Sequence, residues 1–260
     1  MHPGLPAVLS SMTRIADITL RSIDKLWWTA DGGVRIQLEH ATAIPPLART
    51  LLDSVFTVVF LFDSPTQNTR WYHASGWRDI ASQQVRLEKT YGEDPAWREW
   101  LDDHAKWIEQ LKVDVTPVEI QTPARIEWWP NPGKMTKFRR DKTPYIRDAE
   151  RRDFLQYLND WHYGPLSSDS HLSYMGMIRR AGVLADGPNR VQLLEQYASN
   201  IFLTSLTLNL AFLAEVIAEA NLSVQADRAI QLWSLVPEWP MAQSLFLKRY
   251  QKLLTRRRDG

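Results

Sequence analysis

LARTLLDSVFTVVFLF, residues 47–62, is the stretch that decides the fold. From Leu51 to Phe62 it is strongly apolar, and the preceding Pro45-Pro46 pair supplies a preset φ suited to opening a helix. Behind it, Asp63-Ser64-Pro65 combines a stop, a cap and a first-turn proline. The apolar part is about a dozen residues long, roughly half of what a bilayer core needs, and Asp53 interrupts it. It reads as the central core helix of a soluble protein.

Helical punctuation continues on both sides. Upstream, Ser10 or Ser11 caps a first helix whose apolar positions Met12, Ile15, Ile18, Ile23 and Leu26 recur near helical spacing, and Asp31-Gly32-Gly33 ends it. Val34, Ile36 and Leu38 alternate as a strand would, but a strand without a partner is marginal, so a short helix reaching Thr42 is expected. Downstream, one long helix runs from Pro65 to Tyr91-Gly92 with Gly76 as its only interior glycine. Asp94-Pro95 starts the next, whose stripe Trp97, Trp100, Leu101, His104, Ile108 and Leu111 is expected to pack inward.

Between Val113 and Lys137, four prolines at 117, 123, 130 and 132 forbid a continuous helix. A connection of that length is often functional or mobile, and Trp128-Trp129 suggests that part of it lies on the core. Basic residues follow, interleaved with acids, and read as a solvated helix face. Within them Lys134, Lys137, Arg139 and Arg140 form the candidate anion-binding group. A helix through Phe154, Tyr157 and Trp161 breaks at Gly164-Pro165, and Leu166 to Ser170 caps a helix carrying His171, Tyr174, Met175 and Ile178. A long helix spans Val191 to Ala220, with shorter ones after Ser223 and Pro240.

The expected architecture is therefore all-α. It is a single-domain bundle over residues 1–260, of about seven to nine helices with one proline-rich connection, and helices over 190–256 packed on the rest.

Composition limits function. Hydrophobic residues make up 44% and charged ones 23%, enough for a sizeable core, and a net charge of +1 provides no global field toward nucleic acid or membrane. Twelve tryptophans serve cores and interfaces alike. No cysteine is present, which removes disulfides, thiolate metal sites and cysteine nucleophiles. The opening residues lack a basic n-region, and Ile201–Ala220 contains Asn209, Glu215 and Glu219, so neither a secretory signal nor a membrane span is expected. Cytoplasmic placement follows.

Some polar residues are not needed by a helical core. Arg49 and Asp53 are four apart on the apolar helix and share a face. Tyr163, Ser167 and His171, with Tyr157 and Trp161, form a second group, and the five residues Arg49, Asp53, Tyr163, Ser167 and His171 are the candidate polar site. The order Arg49-x3-Asp53, Pro132-Gly133-Lys134, then Tyr157 and Tyr163 before Leu166-Ser167-x3-His171 resembles domain-of-unknown-function family 5677 over about residues 38–184. Members of that family commonly carry glutamate where this chain has Asp53. The resemblance implies an all-helical bacterial protein of undetermined biochemical role.

Two functions follow from these residues. One is a non-catalytic interaction or ligand-binding module in which they form a polar network; the other is a phosphodiester-acting, ribonuclease-like effector in which Arg49 holds phosphate, His171 moves a proton and Asp53 orients one of them. Arg98-x5-His104 also fits the spacing of HEPN ribonucleases, but His104 falls on the apolar stripe and is read as packing. Asp169 and His171 with His162 or Asp53 match no recognised ligand spacing, and neither a phosphate-cradling glycine loop nor a GxSxG elbow occurs. No metal or cofactor is expected. RNA or another protein are the partner classes left open, as is the oligomeric state.

Overall fold

The structure is a computed structural model that describes residues 2–27, 38–170, 176–178, 181, 187–220 and 249–250. It is all-α. Among the described residues there is no strand, only an isolated antiparallel bridge between Phe138 and Pro144. Its main helices are α1 (Leu5–Trp27), α2 (Leu38–Asp63), α3 (Pro65–Tyr91) and α4 (Pro95–Gln110). Short α5 (Pro117–Gln121) and α6 (Pro132–Met135) follow, then α7 (Ala149–Leu158), α8 (Gly164–Ser170) and α9 (Arg190–Glu219). Contacts divide the chain into two compact units, Met1–Leu5 with Asp63–Asn131, and Pro6–Phe62 with Pro132–Gly260.

The first unit is built on α3 and α4. Pro65 at the start of α3, and Asp94 accepting from the amide of Ala96 at the start of α4, are the helix starts the sequence announced. Ala74, Trp77, Ile108 and Ile126 form its core, with Ile80, Leu111, Val115 and Ile120 packed around them. The proline-rich connection is held along α3: Trp71 Nε1 donates to the Glu127 carbonyl at 2.7 Å, the Trp129 amide donates to Ser75 Oγ at 2.6 Å, and Arg78 donates to the Ile126 carbonyl. Each proline opens or flanks a short turn instead of breaking a long helix. Thr116 and Glu119 close a reciprocal capping box around Pro117.

In the second unit α2 and α9 are the apolar helices. Both are long and apolar enough to cross a membrane by length and composition, and 67% of each apolar window is buried inside the protein. Helix α2 does not open at Pro45-Pro46 as expected; it begins at Leu38 and carries both prolines inside. A proline inside a helix costs about 3 kcal/mol in lost hydrogen bonding and strain. Burial of Ile44, Pro45 and the fully buried run that follows offsets that cost. Helix α1 starts at Leu5, ahead of the expected serine caps, because Leu5 is fully buried and Pro6 suits a first turn. Ile15 and Ile18 on it are exposed, while Met12, Ala16 and Ile23 are buried. Asp31-Gly32-Gly33, the segment after Ser223 and that after Pro240 lie outside the described residues, except residues 249–250.

Gly164-Pro165 does not break the chain either. A single π turn, Asn159–Tyr163, joins α7 directly to α8, and Gly164 keeps right-handed helical angles (φ −57°, ψ −55°). The wider π ring shifts the hydrogen-bond register by one residue just before Pro165, which lets the chain stay helical past it. Arg151 on α7 donates to the Phe62 carbonyl at the end of α2 at 2.5 Å and pairs with Glu219 at the end of α9 at 2.5 Å.

Among the described residues the most deeply buried charges are Glu215 on α9 and Arg249, joined by two bonds: Nε to Oε1 at 2.8 Å and Nη2 to Oε2 at 3.3 Å. Burial works against the Arg249 charge, and the Glu215 carboxylate outweighs it and holds the pKa above its ordinary value. Removing one partner would strand a charge in the core. Arg249→Met is expected to lower unfolding free energy by roughly 3 to 5 kcal/mol, whereas Glu215→Leu with Arg249→Met recovers most of that loss. Urea denaturation of the two variants beside the parent protein reads the difference, and equal losses in both would refute the pairing as the cause.

Candidate functional site

Helix α2 has one edge that is not buried, and it carries Arg49, Asp53 and Thr57, four residues apart each. Arg49 Nε donates to both Asp53 carboxylate oxygens, at 3.1 and 3.2 Å. Its guanidinium lies over the Tyr163 ring, 3.7 Å from the centroid, and Tyr163 meets Phe56 edge to face at 6.1 Å. Thr57 Oγ1 donates to the Asp53 carbonyl at 2.8 Å. Partial burial raises the Asp53 pKa, and Arg49 opposes that shift by charge and hydrogen bond. The Asp53 side chain is 47% exposed while Arg49 is only 16% exposed, so the pair is a buried cation under a wet carboxylate.

Three of the five predicted residues therefore come together. Tyr163 is aimed at Arg49 from the last position of the π turn. Ser167 sits one turn further on in α8, half-buried. His171, with Tyr174 and Met175, lies outside the described residues. Chemically the group is a cation paired with Asp53 through Nε and stacked on an aromatic face, an arrangement that orders the π turn against α2. An open hollow lined by Thr13, Arg14, Asp17, Arg21 and Asn209 lies in the same unit and includes none of the five.

The π turn also carries His162, which the sequence placed only among weak metal candidates. It is buried, its Nε2 has no hydrogen-bond partner, and the Tyr157 ring meets it edge to face at 6.2 Å. Burial pushes its pKa down to about 4.

The basic segment is not the helix face expected from its charge pattern. Residues 137–145 fold back on themselves, with the Arg139 amide donating to the Thr143 carbonyl at 2.7 Å and the Tyr145 amide to the Lys137 carbonyl at 3.1 Å. Lys142 takes a left-handed φ of 66°, and Asp141 accepts from the Thr143 amide at 3.0 Å. Pro144, and the local bonds of Asp141, select a turn over a helix. Arg139 lies 4.9 Å from the Tyr145 ring centroid, while Lys134, Lys137 and Arg140 are exposed.

The first unit holds the largest departure from the sequence reading. On α4 the expected stripe is buried at Leu101 and Ile108 but exposed at Trp97 (38%) and Trp100 (46%), and Trp107 (47%), outside that stripe, is exposed beside them. Tyr91 stacks on Trp97 at 4.7 Å, Trp97 meets Trp100 at 6.1 Å, Trp100 stacks on His104 at 4.7 Å with planes 13° apart, and His104 meets Trp107 at 5.5 Å. Gln84 of α3 fixes the ladder: its Nε2 donates to the Leu101 carbonyl at 3.1 Å, so its Oε1 must accept, and His104 Nδ1 is the donor at 2.5 Å. Arg98 and His104, six apart, point about 120° away from each other around the helix, and His104 is engaged by Gln84 and the neighbouring indoles. Helical periodicity alone cannot separate a ladder from a core stripe, because both recur every third or fourth residue.

Searches against protein-family models, curated proteins and solved structures found nothing that matches this chain.

The buried His162 fixes a pH dependence. Its folded pKa lies below the value of about 6.5 expected of an unfolded histidine, so its contribution to stability is complete above pH 6.5 and is lost as pH falls toward 4. The loss across that window is roughly 3 kcal/mol. Denaturant unfolding between pH 7.5 and 4.5 should show this slope, and His162→Phe should flatten it. An unchanged slope in the variant would assign acid sensitivity to other groups.

Proposed function

We propose that this chain is a non-catalytic helical interaction protein whose working surface is the aromatic ladder of α4, and that it takes an arginine- or lysine-rich segment of a partner protein. The observation that carries the reading is the run of rings Tyr91, Trp97, Trp100, His104 and Trp107, each in contact with the next and all but the half-buried His104 exposed. Ring contacts of this kind are worth about 0.5 to 1.5 kcal/mol each, so the array is ordered before a partner arrives. The three exposed indoles leave on the order of 300 Å² of aromatic surface in water, a size that marks functional patches on monomers.

Charge selects the partner. Between Glu93 and Gln110 six carboxylates stand against Arg98 and Lys106, and Lys106 is bonded to Asp103 at 2.8 Å. Helical spacing runs Glu99 and Asp103 along the solvent side of the ladder. Indole faces rimmed by carboxylates attract guanidinium and ammonium groups by cation–π and Coulomb forces and repel phosphodiesters. A protein segment is therefore favoured over RNA.

The Arg49–Asp53–Tyr163 group serves this reading as a support that fixes helix packing in the second unit. The likeness to domain-of-unknown-function family 5677 belongs to the same proposal, since Arg49, Asp53 and Tyr163 are among the residues that carry it. So does a cytoplasmic location, where the absence of cysteine is unremarkable.

Isothermal titration with a synthetic arginine-rich peptide tests the proposal. Binding should be salt-sensitive and weaken by about tenfold or more in the Trp100→Ala, Trp107→Ala double variant, the loss of roughly 1.4 kcal/mol or more expected for two truncated aromatic anchors. No binding, equal binding in the variant, a preference for a single-stranded RNA of matched length, or ladder-dependent dimerisation of the chain would each overturn it.

A further inference from the structure

We infer that His2, His73 and Asp114 form a binding site for a divalent transition-metal ion, with zinc the favoured occupant. The three residues come from distant parts of the chain: the turn before α1, the first half of α3, and the 3-10 turn Lys112–Asp114 that follows α4. All belong to the first unit. His2 Nε2 lies 3.1 Å from Asp114 Oδ1, His73 Nδ1 contacts Asp114 Oδ2, and one donor atom from each residue lies within 4.8 Å of the others. Ligands about 2.0 to 2.1 Å from a tetrahedral zinc ion stand roughly 3.3 Å from one another, so shifts of up to about 1.5 Å in side-chain donors bring the three around an ion.

The surroundings fit such a site. Residues 2–5 are not a loose end, because the Leu5 amide donates to the His2 carbonyl at 3.1 Å and Leu5 is fully buried. Gly4 lies against both imidazoles: a Cβ there would stand 2.5 Å from His73 Cε1 and 3.2 Å from His2 Nδ1. Only glycine lets the chain pass so close to the two rings. The rings meet edge to face, 5.8 Å apart, with His2 largely buried and His73 a quarter exposed. Two imidazoles and one carboxylate suit zinc and its first-row neighbours better than calcium or magnesium, which prefer oxygen ligands. Three protein ligands and an exposed side leave a fourth position for water.

Binding rearranges protons in a way that can be followed. Without metal, the Gly4 amide donates to His2 Nδ1 at 3.1 Å, so the neutral ring carries its proton on Nε2 and donates it to Asp114. Metal on Nε2 moves that proton to Nδ1, which then no longer accepts from Gly4. At His73 the proton moves from Nδ1 to Nε2. The Gly4 amide is then released from His2.

The test uses the 260-residue chain without a histidine tag, since added histidines would themselves bind metal. Titration with zinc should show one ion per chain and a raised melting temperature, and cobalt should give the visible absorption of a tetrahedral nitrogen–oxygen site. The Gly4 amide resonance should shift and exchange faster on binding. Affinity should fall by about tenfold or more in His73→Ala and in Asp114→Ala. His2→Gln, which keeps a hydrogen-bonding side chain of similar size in contact with Asp114, should do the same. Absence of stoichiometric binding, or binding unchanged in His2→Gln and Asp114→Ala, would overturn the inference. These outcomes are independent of whether α4 binds a cationic peptide.

Discussion

Burial of α2 is the constraint on which the second unit depends. Ten of the twelve side chains from Leu51 to Phe62 are buried, so the helix has a single edge on which a charge can stand. Asp53 occupies that edge half in water, and the largely desolvated guanidinium of Arg49 one turn away is matched by the Asp53 carboxylate and by the Tyr163 ring laid over it. Even the hydroxyls on α2 turn back to its own backbone, Ser54 to the Thr50 carbonyl and Thr57 to the Asp53 carbonyl. What reads as a polar pocket in the sequence is in this sense the wet rim of an apolar helix.

The same logic links the buried pair Glu215–Arg249 to the path of the chain. A carboxylate at 0% exposure in α9 must be matched, and its match lies 34 residues further on. Tyr250, fully buried beside it, has its phenol pKa raised first by burial and then by the Glu215 charge. The polar interactions that matter most to this unit are thus placed by desolvation, which tolerates no isolated charge.

The long helices were legible because their boundaries are chemical: Ser64-Pro65, Asp94-Pro95 and the apolar run into Glu219 each mark an end that the structure keeps. Legibility failed where tertiary burial overrides local punctuation. Pro45-Pro46 and Gly164-Pro165 look like breaks, yet burial carries one helix through its prolines and a π turn carries the other past its glycine. The α4 stripe shows the converse limit, since spacing reveals that Trp97, Trp100, His104 and Trp107 share a face but not whether that face is covered. Of the candidate site, Arg49 with Asp53 was readable from their four-residue spacing. His2, His73 and Asp114 were not, because residues that far apart in sequence leave no periodicity or motif to find.

The central claim is that the ladder on α4 is the surface this protein presents to a cationic partner. Indole NH resonances observed during titration with the arginine-rich peptide test it residue by residue. The account predicts that Trp97, Trp100 and Trp107 shift together while Trp71, Trp77 and Trp129, packed along α3, stay in place. Shifts confined to other indoles, or to none, would contradict it.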